Sequence, residues 1–117
     1  MKQFEVPIIL KTYELYKEIH VLQKTIPKSD RYSLWVKIQN ATLDILEGLL
    51  QVGYVTPENR TNFLTKISAK VDILRIFIRL AFDVKTINNS KYLHLQECLD
   101  EIGRMLGGWL KSTKTKK

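Results

Sequence analysis

The stretch that decides the fold is residues 56–83, TPENRTNFLTKISAKVDILRIFIRLAFD, which carries the signals of one long helix. Thr56, Pro57 and Glu58 supply an N-cap, a proline at the first helical position and an acid in the first turn. Apolar residues then recur at intervals of three and four, the spacing of one helix face. A second apolar set widens that face, so the segment predicts a helix buried on more than one side. The first face contains Phe63, Ile67, Val71, Leu74, Ile78 and Ala81, and the second contains Ile73, Phe77 and Leu80.

Three turn regions divide the whole chain into four helical segments. Residues 27–30, 53–57 and 88–90 are rich in residues that favour turns and helix caps. Every segment between them repeats apolar residues at helical spacing, and none alternates with the period of two expected for a half-buried strand. The other predicted helices span about residues 7–25, 30–53 and 89–111, with Ser29 or Asp30 as the N-cap of the second helix.

Four amphipathic helices joined by short turns predict an all-α fold, an antiparallel up-down-up-down four-helix bundle. We expect residues 1–111 to form a single domain and residues 112–117 to form a lysine-rich tail. The third helix has more apolar surface than a lone bundle buries, which favours self-association. A wide core face is the alternative explanation.

The net charge of +7 is concentrated in the second half of the chain. Residues 1–57 hold seven Lys/Arg and six Asp/Glu, whereas residues 58–117 hold twelve and six. This asymmetry predicts a polyanionic partner, nucleic acid before a membrane surface; the alternative is a lysine-rich tail that only aids solubility. Without an apolar signal segment or a membrane-spanning stretch, we expect a cytoplasmic protein. The tail lysines are Lys111, Lys114, Lys116 and Lys117.

The sequence contains little that predicts catalysis. His20 and His94 are the only histidines, and we interpret both as surface residues without a Cys or carboxylate at ligand spacing. Cys98 is the only cysteine; it fits a reducing compartment and lies in a helical pattern as a small, half-buried filler. No nucleophile–base pattern or phosphate-binding glycine loop is present. We therefore predict a non-enzymatic protein with no cofactor and no metal site.

Two sets of charges on the third helix are candidate binding residues. Asp72, Arg75, Arg79 and Asp83 share one stripe, which is either a self-neutralised surface or a pair of guanidiniums for phosphates or carboxylates. Lys66 and Lys70 stand one turn apart with no acid between them, so an anion would relieve their repulsion. Arg104 extends this basic set toward Lys111 and the tail, and together they favour salt-sensitive binding to a nucleic-acid backbone.

Gly103 and Gly107 lie one turn apart in the last helix, where each interior glycine costs about 1 kcal/mol relative to alanine. Gln96 and Asp100 continue the same stripe. Positions without side chains leave a shallow groove, which predicts close approach of another helix or another subunit. Trp109 follows the glycines and is expected to anchor the helix end.

Three stretches together resemble a known family: LDEIGRMLGGWLK (99–111), LRIFIRLAFD (74–83) and IPKSDRYSLWVKI (26–38). They are similar to Avd proteins, the accessory variability proteins of diversity-generating retroelements. Avd proteins belong to a wider four-helix group that includes the ribosomal-RNA intervening-sequence proteins. The resemblance covers about residues 13–111 and is strongest at the C-terminal motif.

The resemblance implies a ring-like homopentamer of four-helix protomers without catalytic activity. It implies binding to the retroelement's reverse transcriptase and to its template RNA, or the RNA/cDNA hybrid, in support of mutagenic cDNA synthesis. By the same resemblance, Arg75, Arg79 and Arg104 are candidates for subunit, enzyme or RNA contacts, and Gly103 and Gly107 for close helix packing. An intervening-sequence-type scaffold that binds only protein partners is the alternative.

Overall fold

A computed structural model describes residues 6–115, with side chains described through Thr113. Within this range the protein contains no β-strand, and no helix is long and apolar enough to cross a membrane. Short 3-10 turns at Gln23–Thr25 and Val52–Tyr54 follow the first and second long helices. The α-helices are α1 (Pro7–Leu22), α2 (Lys28–Arg31), α3 (Leu34–Gln51), α4 (Pro57–Asp83) and α5 (Asn89–Thr115).

The two longest helices, α4 and α5, pack antiparallel along their length. Near the start of α4, Thr61 lies 2.9 Å from Thr113 near the end of α5, measured between the two Oγ1 atoms. Near the end of α4, Phe82 stacks on Tyr92 near the start of α5, with ring centroids 4.5 Å apart. These two contacts define the register of α4 against α5, and with it which residues of the two helices face each other.

Contacts of α1 complete the arrangement of the four long helices. Lys11 in the first half of α1 pairs with Glu101 at the middle of α5, with 2.8 Å between Nζ and Oε2, and Glu18 in the second half of α1 contacts His94 near the start of α5. Fully buried Trp35, at the start of α3, donates its indole N–H to the carbonyl of Ile19 near the end of α1 at 3.1 Å. The predicted all-α fold is confirmed, and the contacts arrange α1, α3, α4 and α5 up-down-up-down.

The start of α4 is where the sequence prediction is most accurate. Thr56 is the N-cap, Pro57 is the first helical residue and Glu58 lies in the first turn. The Thr56 hydroxyl accepts a hydrogen bond from the Asn59 side chain at 2.8 Å, and makes no side-chain bond to the helix backbone.

The start of α3 differs from the prediction, because residues 28–31 form the separate single turn α2. Ser33 is the N-cap residue of α3, so Ser29 and Asp30 do not cap it. The Asp30 carboxylate instead accepts a hydrogen bond from the Thr86 hydroxyl at 2.9 Å. This bond joins the α1–α3 connection to the α4–α5 turn, a long-range contact that local sequence patterns do not show.

The expected second buried face of α4 is wrong for the protomer. The buried residues of α4 form one face, with Leu64 in place of the predicted Phe63. Ile73, Ile76 and Leu80 are 50%, 66% and 43% exposed, and Phe77 is half-buried. Since α4 packs mainly against α3 and α5, its outer side remains in solvent. We call Ile73, Ile76, Phe77 and Leu80 the α4 apolar stripe.

Candidate functional site

Arg75 of α4 lies against α5 and is held by several partners. Its Nη1 donates to the Asp100 carboxylate, and its Nη2 donates to the Leu99 carbonyl at 3.0 Å. Gln96 donates to the Arg75 carbonyl at 3.2 Å, and the Asp72 carboxylate lies 4.0 Å from Nε. Through the Nη1 and Nη2 bonds to α5, and with a side chain only 29% exposed, Arg75 ties α4 to α5. Its predicted contact with RNA, the enzyme or another subunit stays a prediction.

Gly103 makes room for that guanidinium. A Cβ atom at position 103 would lie 2.7 Å from the Arg75 Nη2 atom, closer than real Cβ contacts. The groove predicted along Gln96, Asp100 and Gly103 therefore exists, but an arginine side chain fills it and no helix backbone approaches. The stripe could be predicted from the sequence. That the Arg75 side chain fills it depends on the register of α4 and α5.

Gly107 and Trp109 differ in their surroundings. Among the described residues, a Cβ atom at Gly107 would meet nothing within 4 Å, so this glycine packs against none of the other described helices. Its use for contact with another subunit stays a prediction. Trp109 is half-buried against the core and lines a small apolar groove with Val6, Pro7 and Met105.

Arg79 is exposed and forms a local ion pair. Its Nε lies 3.0 Å from the Asp83 carboxylate, one turn further along α4. The guanidinium also lies 6.0 Å from the centre of the Tyr92 ring. The Tyr92 hydroxyl and then the Asp83 carboxylate raise the pKa of Arg79 as hydrogen-bond partners. Of the two alternatives drawn from the sequence, the self-neutralised pair describes Arg79 and Asp83.

The remaining described cations of the candidate set are exposed and form no close ion pair, although Arg104, after Lys11, helps to lower the pKa of Glu101. Among the residues that the structure describes, none of them has a carboxylate oxygen within 4.0 Å. These residues are Lys66, Lys70, Arg104 and Lys111. Of the tail lysines, the side chain of Lys114 and the whole of Lys116 and Lys117 lie outside the described part.

The α4–α5 register places these four cations in one half of the bundle. Thr61 opposite Thr113 marks one end of the helix pair, and Phe82 opposite Tyr92 marks the other. Residues 66–70 of α4 and 104–111 of α5 all lie between the first of these contacts and the level of Arg75. We call this half the basic half.

Lys37 is a further basic residue, outside the set of binding residues predicted from the sequence. Lys37 of α3 and Lys70 of α4 line the same groove, together with Asp44, Ile73 and Phe77. The groove therefore joins a cation of the basic half to two residues of the α4 apolar stripe. No sequence signal pairs positions 37 and 70, because their proximity follows from α3 packing on α4.

The interpretation of His94 as a residue without ligand-type neighbours is wrong. Its Nε2 lies 2.9 Å from the Glu18 carboxylate and 3.8 Å from the Cys98 sulfur. Positions 94 and 98 are one helical turn apart, so that spacing was visible in the sequence, whereas Glu18 comes from α1. His20 is exposed beside Tyr16, as expected, with ring centroids 5.8 Å apart.

Comparison with known families places the chain among the proteins that its C-terminal motif resembles. A comparison with curated proteins gives no match. The sequence model described as bAvd-like matches residues 8–113, which include nearly all of the helices described above. The chain therefore belongs to the bAvd-like family.

Proposed function

We propose that the protein is a non-catalytic, cytoplasmic accessory protein of a diversity-generating retroelement. In this function it binds the reverse transcriptase and the template RNA and supports mutagenic cDNA synthesis. Membership of the bAvd-like family across residues 8–113 is the observation that carries the proposal. The exposed cations described above add a physical reason for the RNA contact.

RNA binding in this proposal is electrostatic and directed at the phosphate backbone. Lys66, Lys70, Arg104 and Lys111 have no carboxylate partner within 4.0 Å among the described residues, so phosphates would not have to displace an existing ion pair. Arg75 contributes to folding and not to the RNA surface, since α5 already occupies its guanidinium. Such binding weakens steeply with salt, because it releases counterions from the nucleic acid.

Assembly into a homopentamer is the second part of the proposal. The α4 apolar stripe supports it, because a second copy of the chain would remove Ile73, Ile76 and Leu80 from water. Burying an aliphatic side chain contributes about 1.5–3 kcal/mol when it is fully exposed beforehand, and a proportionate share when it is half-exposed. Gly107 offers open space on α5 for the same kind of contact.

Two measurements test the proposed function. Fluorescence anisotropy with a structured RNA should show affinity that falls steeply as salt increases. Light scattering during size-exclusion chromatography should report about five protomers, and a clean monomer would contradict the assembly. If the protein retains the reverse transcriptase of its retroelement but no RNA at low salt, the protein-only scaffold is the correct function.

A further inference from the structure

Glu18, His94 and Cys98 form a compact cluster between α1 and α5. The His94 Nε2 lies 2.9 Å from Glu18 Oε1, and the Cys98 Sγ lies 3.8 Å from both His94 Nε2 and Glu18 Oε2. One ligand-type atom from each residue lies within 4.8 Å of the others. His94 and Cys98 share one face of α5 at an i,i+4 spacing, and Glu18 approaches from α1.

The spacing of these atoms matches one face of a coordination tetrahedron. Zinc bonds of about 2.0–2.3 Å place neighbouring ligand atoms of a tetrahedral site about 3.3–3.6 Å apart. The His94–Glu18 and His94–Cys98 distances bracket that range, and the Glu18 carboxylate, which contacts the two partners through different oxygens, has to turn one oxygen toward both. The packing of α1 on α5 already holds the three side chains close together.

The chemistry of the three donors selects the metal. A thiolate, an imidazole and a carboxylate are the ligand types of Zn²⁺, whereas Mg²⁺ and Ca²⁺ prefer oxygen ligands alone. Burial, followed by the charge of Glu18, raises the pKa of the Cys98 thiol, so the metal must displace its proton. Binding forms one bond each to sulfur, nitrogen and oxygen; the thiol proton leaves to solvent, and the proton that His94 Nε2 shares with Glu18 gives way to the metal, with the neutral ring keeping its proton on Nδ1.

The cluster is accessible although Cys98 itself is only 7% exposed. Glu18 and His94 line an open groove with Val21, Lys91 and Leu95. This groove gives a metal ion a path to Glu18 and His94 and leaves room for water at a fourth position, and Cys98, which does not line the groove, lies 3.8 Å from both of them. The charges of the thiolate and of Glu18 balance a divalent ion.

We propose that Glu18, His94 and Cys98 bind one Zn²⁺ ion, which joins the first long helix of the bundle to the last. The three ligands are separated by up to 80 residues in the chain. The ion therefore closes a loop that includes most of the fold and stabilises the native bundle, because the unfolded chain does not present the same three ligands together. This site is independent of the proposed RNA and enzyme contacts.

Titration of the untagged, reduced protein with Co²⁺ tests the site. One equivalent should produce a thiolate-to-cobalt charge-transfer band and the visible bands of tetrahedral Co²⁺, and Zn²⁺ should displace the signal while Mg²⁺ does not. Cys98→Ser should abolish the charge-transfer band. His94→Ala and Glu18→Gln should each weaken binding at least about 10-fold, the lower limit for loss of a supporting residue around a metal.

The other histidine of the chain provides the matched control. His20→Ala removes an exposed imidazole from α1 and should leave cobalt binding unchanged. Circular dichroism should show that every variant keeps its helices, and Zn²⁺ should raise the melting temperature of the wild type but not of Cys98→Ser. Absence of a charge-transfer band in the folded wild type, or equal affinity in Cys98→Ser, would overturn the proposal.

Discussion

Gly103 and Arg75 are complementary: the space that a side chain at position 103 would occupy holds the Arg75 guanidinium. Its Nη2 lies 2.7 Å from the position of a Cβ atom at residue 103, and the same nitrogen donates to the Leu99 carbonyl. The glycine destabilises the α5 helix, but the absence of a side chain at position 103 allows a charged contact between α4 and α5.

The glycines of α5 should respond differently to alanine. Gly107→Ala should stabilise the protomer by about 0.5–1 kcal/mol, because alanine favours the helix and its methyl group meets no described residue within 4 Å. Gly103→Ala gains the same propensity but displaces Arg75, so its stability should be lower than that of Gly107→Ala by about 0.5–1.5 kcal/mol. Urea unfolding measures both. In an Arg75→Ala background the difference should vanish, and its persistence would contradict the complementarity.

The basic half should contribute more to RNA binding than equally exposed lysines elsewhere. Lys66→Gln/Lys70→Gln should weaken the affinity for the structured RNA about 10-fold at moderate salt and reduce the salt slope by about 1.4–1.8, the range for two phosphate contacts with single and double strands. Lys24→Gln/Lys28→Gln is the control, because it removes two exposed lysines with the same spacing at the opposite end of the bundle. Equal losses in the two double variants would mean that net charge alone determines affinity.

A charge on the α4 apolar stripe should disrupt assembly without unfolding the protomer. Ile76 is 66% exposed, so Ile76→Glu should change the free energy of unfolding by no more than about 0.5 kcal/mol. Light scattering should show a shift to smaller species. Val21→Glu is the matched control on α1, since Val21 is 64% exposed and lies outside the stripe. Disassembly by both variants would point to a general effect of added charge.

The ion pair between Lys11 and Glu101 should make stability depend on pH in acid. The hydrogen bond from Lys11 lowers the pKa of Glu101, and the hydrogen bond to Glu101 raises the pKa of Lys11. The pair therefore stabilises the fold above the unfolded-state pKa of Glu101, and this contribution is lost as pH falls through the lower folded-state value. At high pH it is lost as pH rises through the raised pKa of Lys11.

Comparing Lys11→Met with the wild type in metal-free buffer measures this contribution. The difference in urea midpoint should be present near pH 7 and should narrow at about pH 2, where carboxylates are protonated. Lys17→Met serves as the control, because Lys17 pairs with Glu14 of its own helix at 3.4 Å and is more exposed. If the difference in urea midpoint between Lys11→Met and the wild type is as large at low pH as at pH 7, the variant acts through lost packing and not through the ion pair.

Features encoded within a few residues could be predicted from the sequence. Thr56, Pro57 and Glu58 set the start of α4 through local geometry, and Arg79 pairs with Asp83 one turn away. The four long helices follow from apolar periodicity in the same way. Each of these inferences needs only the geometry of a single helix.

Features that depend on how helices meet could not be predicted. Arg75 pairs with Asp100 of α5, although Asp72 is its neighbour on α4. The α4 apolar stripe has helical periodicity, but periodicity does not reveal how many helices pack around α4. Likewise, the i,i+4 spacing of His94 and Cys98 was present in the sequence, whereas the position of Glu18 depends on the packing of α1 on α5.

The hydrogen bond between Asp30 and Thr86 should make one end of the bundle more resistant to opening than the other. It fastens together both chain connections at one end, whereas the α3–α4 turn is the one covalent connection between described helices at the other. When the bundle opens transiently, the helices should therefore separate least at the end that contains this bond and most in the basic half. Amide hydrogen exchange should show this gradient, with faster exchange near Thr61 than near Phe82. Asp30→Ala removes the bond to Thr86 and should therefore reduce the difference in exchange rate between the two ends.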